Sequence, residues 1–463
     1  MRKLTGLDAS FLHLETGPVY GHVSSLGIYD PSTAPEPLTA ATVRARLLAR
    51  MHKMEIFRKR LVEVPMNLDH PYWVDDPDFN IDDHVYDVGL AAPGSREQLI
   101  DVVSRIVAKP LDRSRPLWEM AIIGGLDDGM VAVLTTVHHS AIDGVSGADI
   151  LGIMLDVDPS VDQPTPAPQP WKPESQPAQL SLFASAVTAN AVRPVKAAQL
   201  QWDLFTHYAK RPGNVKALFG QQSMRIPRTP FNIKPTNRRV FAPFQIPLSE
   251  VKEIRKGLGA TVNDVVMAIC AGGLRTWLSE HDALPDKPLK AGVPVSTRDE
   301  SQRGALGNQV SLVLADLPTN LDDPLARLKA VHESMNAAKE MHNALPVATI
   351  IGFSDFAVPA ITAGAARALQ RSNLTSTVIP SNVAISNVPG PQVPIYLNGA
   401  KLVEFYPVSM LADGQALNIT LHSYNGSLFF GLISSPNAVP DIAHLADLLL
   451  AEHQALLAAA RQG

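Results

Sequence analysis

The order of apolar and polar positions along the chain predicts helices and strands in irregular alternation. From Leu38 to Arg58, Val43, Leu47, Met51 and Met54 recur at spacings of four, four and three, which is one face of an amphipathic helix with Thr39 as its cap. Met130 to Val137 (MVAVLTTV) is rich in β-branched residues and reads as a buried strand. A second helical pattern, with Ile150, Leu151, Met154 and Leu155, follows a short break, and further helices are expected between Leu180 and Leu218. Thr261-Val262-Asn263-Asp264 gives an N-cap signal ahead of the run VVMAICAGGLRTWL, a buried helix. AGVPVSTR, SNVAISN, KLVEFYPVSML, ALNITLHSY and SLFFGLISS read as strands. The last two flank Asn425-Gly426, the strongest short-range hairpin signal a sequence offers. Helices and strands mixed without strict βαβ order predict an α/β fold with a mixed sheet in each lobe.

The lobes are set by the clearest break in the chain, PSVDQPTPAPQPWKPESQP, which holds seven prolines from Pro159 to Pro177. Such a run favours an extended linker, so the expected division is a first lobe over 1–158, a crossover over 159–178 and a second lobe over 179–463. Composition changes this picture little: 463 residues with 46% hydrophobic and 18% charged side chains are globular. A net charge of −5 argues against a nucleic-acid binder working through a basic face. The single cysteine, Cys270, excludes an internal disulfide framework and a cysteine-based zinc cluster, and its place in an apolar run makes it a core residue. The opening MRKLTGLDAS lacks the apolar core of a signal peptide, so secretion is not expected. Between Met341 and Ala366 the only acid or base is Asp355 (His342 aside), but Pro346 and Pro359 interrupt any helix there. That stretch reads as a core segment, a surface that dips into lipid, or a membrane span.

Candidate chemistry concentrates where the predicted strand ends. HHSAIDG, His138 to Gly144, fits H-H-x-x-x-D-G, a pattern that composition alone would produce roughly 0.003 times in such a chain. Histidine titrates near neutrality and so suits a general base. Neighbouring residues on an extended chain point oppositely, so His138 and His139 cannot share one task. Asp143 is placed to fold back and hold either the loop or a ring tautomer. The spacing lacks the His pair of a helical zinc site, Ser146 fails the G-x-S-x-G elbow because Ala148 replaces the second glycine, and no phosphate-cradling glycine loop is present. No metal and no cofactor are therefore expected.

The residues resemble the bacterial wax ester synthase/diacylglycerol acyltransferases, in the style of an actinobacterial triacylglycerol synthase. The likeness runs from LTGLDASFL through Pro116-Leu117-Trp118, HHSAIDG, RTPFN near Phe231, Asn263-Asp264, PVSTR, Gly307-Asn308 and Asn387 to Pro391. It implies two chloramphenicol-acetyltransferase-like lobes of the condensation-domain superfamily, with the active site in a tunnel between them. It further implies that His139 is the catalytic base, supported by His138, and that Asp143 pairs with an arginine, for which Arg298 is the candidate. Asn263 matches a position implicated in activity, although a helix-capping role fits the residues equally. Pro116 to Trp118 and Asn387 to Pro391 are read as structural. The implied reaction moves a long-chain acyl group from acyl-CoA, a substrate rather than a cofactor, to diacylglycerol or a long-chain alcohol. The implied location is cytoplasmic, in peripheral contact with the inner membrane or lipid droplets. Two other readings keep the same motif: a condensation-type enzyme with a carrier-bound donor, and a non-catalytic lipid-droplet protein.

Overall fold

The computed structural model describes residues 1–15, 17–144, 152–160, 171–191, 226–296, 310–344 and 381–462. Strands β1 (Arg2–Lys3), β4 (Tyr72–Asp75) and β3 (Lys59–Val62) form a small sheet in the order β1-β4-β3. The first six-stranded sheet contains β2 (His22–Asp30), β5 (Val85–Gly89), β6 (Trp118–Gly124), β7 (Val131–His138), β12 (Tyr396–Leu397) and β13 (Ala400–Val408). Its order is β12-β13-β2-β7-β6-β5, antiparallel except for β5 beside β6. The second sheet contains β8 (Val240–Pro247), β9 (Leu289–Ser296), β10 (Val310–Leu317), β11 (Val383–Pro389), β14 (Leu417–Tyr424) and β15 (Ser427–Ser434). Here the order is β10-β9-β11-β14-β15-β8, with β11 parallel to both neighbours. Both six-stranded sheets are mixed.

Helices α1 (Gly6–His13), α2 (Ala40–Arg50) and α3 (Arg96–Ile106) belong to the first lobe, and α4 spans residues 179–191. Helices α5 (Leu248–Leu258), α6 (Val262–Glu280), α7 (Pro324–Ala344) and α8 (Ile442–Gln462) pack on the second sheet. Thr39 caps α2 through a reciprocal pair with Thr42, as the sequence predicts. The helix nonetheless ends at Arg50, short of Arg58. Met54, at φ −124° and ψ 57°, separates two 3-10 turns that follow it. Those turns carry Phe57 onto Trp118, with ring centroids 4.8 Å apart, while all four expected apolar residues stay buried.

The division of the chain into lobes is corrected by the first sheet. Residues 179–463 were expected to form the second lobe alone, yet β12 and β13 return to complete the first sheet, β13 lying along β2 from Lys401↔Asp30 to Val408↔Ser24. Placed there, β13 is the seam between lobes, and it packs on β14 and β15. Both faces of β15 are consequently covered: Leu428, Phe430 and Leu432 lie in the core under the helices, and Phe429 and Ile433 join the first lobe's core. This explains why SLFFGLISS is apolar without alternation. A side chain on Gly431 would overlap the carbonyl oxygen of Pro407, so the sheets meet at a residue with no Cβ. The Asn425-Gly426 turn has φ of 43° and 86° and joins β14 to β15 as a two-residue hairpin.

Among the described residues no single helix is long and apolar enough to cross a membrane. Of Met341 to Ala366, only Met341–Ala344 are described, as the end of α7; the remainder lies outside the described residues. Cys270 is fully buried in α6, as expected.

Candidate active site

Strand β7 delivers the histidine pair. Its N–H groups are tied on both sides: the His138 amide donates to the Leu117 carbonyl (2.9 Å) and the His139 amide to the Gly21 carbonyl (2.8 Å). Pro116-Leu117-Trp118 thus has an anchoring task, reinforced by the Trp118 indole, which donates to the Phe57 carbonyl at 2.9 Å. His138 is the last strand residue, and His139 opens a 3-10 turn that runs to Gly144. The two rings separate as alternation demands.

His138 is 2% exposed and both ring nitrogens are engaged. The Ser140 amide donates to Nδ1 at 3.1 Å, which makes Nδ1 an acceptor and Nε2 the protonated nitrogen. The Ser140 hydroxyl reinforces Nδ1 at 2.6 Å, and Nε2–H donates to Glu15 Oε1 at 3.1 Å. His139 is half-buried, with its ring stacked on Phe11 at a centroid distance of 4.0 Å and an angle of 14°. Phe11 lies on α1, which packs on the 3-10 turn. The segment LTGLDASFL therefore has a physical role: Thr5 caps the helix that sets one wall of the site.

Glu15, just beyond α1, is the residue that sequence reasoning missed. It accepts from the Gly21 amide at 2.7 Å, from His138, and from Arg113, whose Nε is 3.1 Å from Oε2. Burial works to raise its pKa, but the bonds from His138 and Gly21 together with the Arg113 charge outweigh it and bring the carboxyl down to about 2. Gly21 is required by space: a Cβ there would stand 2.6 Å from His138 Nε2. The only hint in the sequence was a lone acid directly after an apolar helix, in a segment whose partner lies over a hundred residues away.

That carboxylate has a consequence for acid stability. Its folded pKa of about 2 lies below the ordinary 4.5, so the stabilisation is complete above 4.5 and is lost as pH falls toward 2. The Glu15→Gln protein is expected to melt lower at neutral pH and to lose part of the acid limb of its Tm–pH curve. Parallel curves for the two proteins over that window would contradict this assignment.

Beside the pair, His22 faces His138 across the β2–β7 ladder. Its Nε2 donates to the Val107 carbonyl at 3.1 Å, and burial depresses the ring to a pKa of about 4, so it stays neutral. A small cavity opens here at the junction of the lobes, with Tyr20, His22, Ser24, Arg239, Met410 and Ile433 in its wall. Arg239, at the start of the second lobe, donates to the Pro18 carbonyl of the first. His22, the cross-strand neighbour of His138, therefore lies at the seam between the lobes.

Of the other expected site residues, Asn263 is described, whereas the Asp143 side chain and Arg298 are not. The backbone of Asp143 falls in the 3-10 turn, but its side chain, and all of Arg298, lie outside the described residues. Asn263 sits in the first turn of α6, whose main neighbours are α5, α7, α8 and β10, all in the second lobe. Thr261, not Asn263, caps the helix, and Asp264 closes the capping box and holds His332 of α7 at 2.7 Å. Among the described residues no group of three or more His, Cys, Asp or Glu side chains converges as a metal site requires.

A family model for the wax ester synthase/diacylglycerol acyltransferase catalytic domain matches residues 4–266, and one for the C-terminal domain of the same enzymes matches residues 306–456. A Mycobacterium tuberculosis protein named as a diacylglycerol O-acyltransferase is 36% identical over 454 residues, which cover 96% of this chain and 88% of its own. A second from that organism is 34% identical over 450 residues, 95% of each chain. The solved wax ester synthase/diacylglycerol acyltransferase of Marinobacter aquaeolei superposes with a TM-score of 0.70 at 31% identity, covering 99% of this chain and 100% of its own. The first condensation domain of the CDA synthetase shares the fold, at a TM-score of 0.57 and 15% identity over 99% of this chain and 95% of its own.

Proposed function

The chain belongs to the wax ester synthase/diacylglycerol acyltransferase family, and we propose that it moves a long-chain acyl group from acyl-CoA to the free hydroxyl of diacylglycerol, with His139 as general base. That it is an acyltransferase follows from the family; donor, acceptor and base are the proposal. The observation that carries the choice of base is the unequal state of the two rings. His138 has both nitrogens engaged and is closed from solvent, whereas His139 is half-buried and stacked on Phe11.

In this reading His139 takes the hydroxyl proton as the alcohol oxygen attacks the thioester carbonyl. The tetrahedral intermediate collapses with cleavage of the carbon–sulfur bond, and the departing thiolate of coenzyme A recovers the proton from His139. Phe11 fixes the plane of the ring, and the Gly21 carbonyl fixes its backbone. Glu15, held ionised, accepts from the protonated nitrogen of His138 and so fixes the orientation of that ring. General base catalysis of this kind contributes typically 10²–10⁴-fold.

The test is a purified-protein assay with radiolabelled long-chain acyl-CoA and separate acceptors: diacylglycerol, a long-chain alcohol and a short soluble alcohol. Labelled triacylglycerol is the expected main product. Transfer only from a carrier-bound acyl group, or to no acceptor, would overturn the reading.

A further inference from the structure

We propose that α4 and the turn at Met66 form the surface by which the protein docks on a phospholipid membrane carrying diacylglycerol; the inference rests on the acceptor proposed above. Helix α4 lies along the small β1-β4-β3 sheet. Ahead of it, the Glu174 amide bonds Asp75 Oδ2 (3.1 Å) at one end of β4, and near its end the Asn190 side chain donates to the Leu68 carbonyl (2.8 Å) before the other. Its inner face buries Leu182 and Ala186, at 2% and 0% exposure. Its outer face turns Leu180 (78% exposed) and Val187 (48%) to solvent, with Ala184 between them. From Ser175 to Val192 the sequence contains no acid, base or histidine. The same outer face carries Ser181, Ser185 and Thr188, whose short side chains add no charge, and Ser181 and Thr188 bond backbone carbonyls of their own segment. A surface helix in water ordinarily carries charge on its outer face, and one that is uncharged there with Leu180 and Val187 exposed suits the interface of a membrane.

The adjoining turn points the same way. Met66 is 70% exposed and held at φ 57°, a conformation that costs a residue with a bulky side chain about 1 kcal/mol or more. Its neighbour Leu68 is the residue bonded to α4. The turn also leads back to the active site: Arg113 joins Glu63 at 4.0 Å to Glu15, and Leu14, 53% exposed, stands one helical turn beyond the Phe11 that stacks on His139. Glu63, three residues before Met66 in the chain, thus ties the segment carrying the turn to the wall of the site through Arg113. Diacylglycerol is effectively confined to a lipid phase, so an enzyme acting on it gains from an uncharged apolar face there. The absence of charge fits attachment by burial of apolar side chains rather than by attraction to anionic headgroups.

The experiment uses the full chain and zwitterionic phosphatidylcholine vesicles containing diacylglycerol, at low and high salt. Wild type is expected to co-sediment equally at both. The double variant Leu180→Glu/Val187→Glu should bind about tenfold or more weakly, and Met66→Asn, which tolerates the left-handed backbone, should weaken binding less. Transfer to a short soluble alcohol should be unchanged in each, because none of these residues touches the site. Normal vesicle binding by the double variant overturns the proposal. So does a wild type that ignores vesicles, which would leave a protein partner as the occupant of this face, or binding that salt abolishes. Loss of soluble-alcohol activity along with binding also overturns it, by making α4 part of the catalytic fold. Failure of the acceptor assignment reads differently: vesicle binding then follows the pattern above while no triacylglycerol forms.

Discussion

The His139→Ala protein is expected to fold as the parent does and to lose acyl transfer by about 10²–10⁴-fold, mostly in kcat. Its ring is half-buried and packs on one side against Phe11, so truncation removes the base and little of the core. His138→Ala should behave differently. It deletes a ring with 2% exposure and removes one of the three donors to the Glu15 carboxylate along with the contact to the Ser140 hydroxyl. The cavity left by the ring and the lost hydrogen bonds should lower the melting temperature together with activity. Kinetics paired with calorimetry on both variants decides the matter. A folded His139→Ala protein that turns over normally would remove His139 from the mechanism.

The second large effect concerns the seam. Gly431→Val is expected to lower stability by at least about 3 kcal/mol, beyond the usual range for overpacking, because the obstacle is a backbone carbonyl that cannot swing aside. Gly431 sits in β15 between Phe429 and Ile433, both packed on the first lobe, and β13 is fixed to β2 over most of its length. Relief therefore requires parting the lobes, and activity should fall with stability. Urea unfolding of parent and variant measures the difference, and an unchanged midpoint would mean that the sheets can slide to accept a side chain.

Legibility in the sequence followed the range of the interaction. Thr261 ahead of α6, the Asn425-Gly426 turn and the strand ending in His138 are each specified by residues within a few positions, and each was readable. The opposed settings of His138 and His139 were also readable, since alternation is a local property. The partners of those histidines were not. Glu15 and Phe11 come from the first fifteen residues and reach the motif only through the packing of α1. Strand β2 escaped notice because Ser24 and Ser25 interrupt its apolar pattern, although the Ser24 hydroxyl is satisfied in the sheet by Thr136 at 2.8 Å. The contact by which Asp264 ties two helices together through His332 was equally out of reach, since its partner lies 68 residues away. The linker misled in a subtler way, since composition marks where a chain leaves a lobe and carries no mark of where it returns.

That return has a bearing on how the protein is made. As the chain emerges from the ribosome, β2 and β7 can pair early, but the other edge of β2 must wait for Ala400–Val408, more than 350 residues after the strand it covers. During that interval the nascent first lobe presents an open row of backbone donors and acceptors on a largely apolar strand, the kind of edge that recruits foreign strands. Expressing residues 1–158 alone would freeze the protein in that interval, and such a fragment should be insoluble unless the missing strand is supplied in trans.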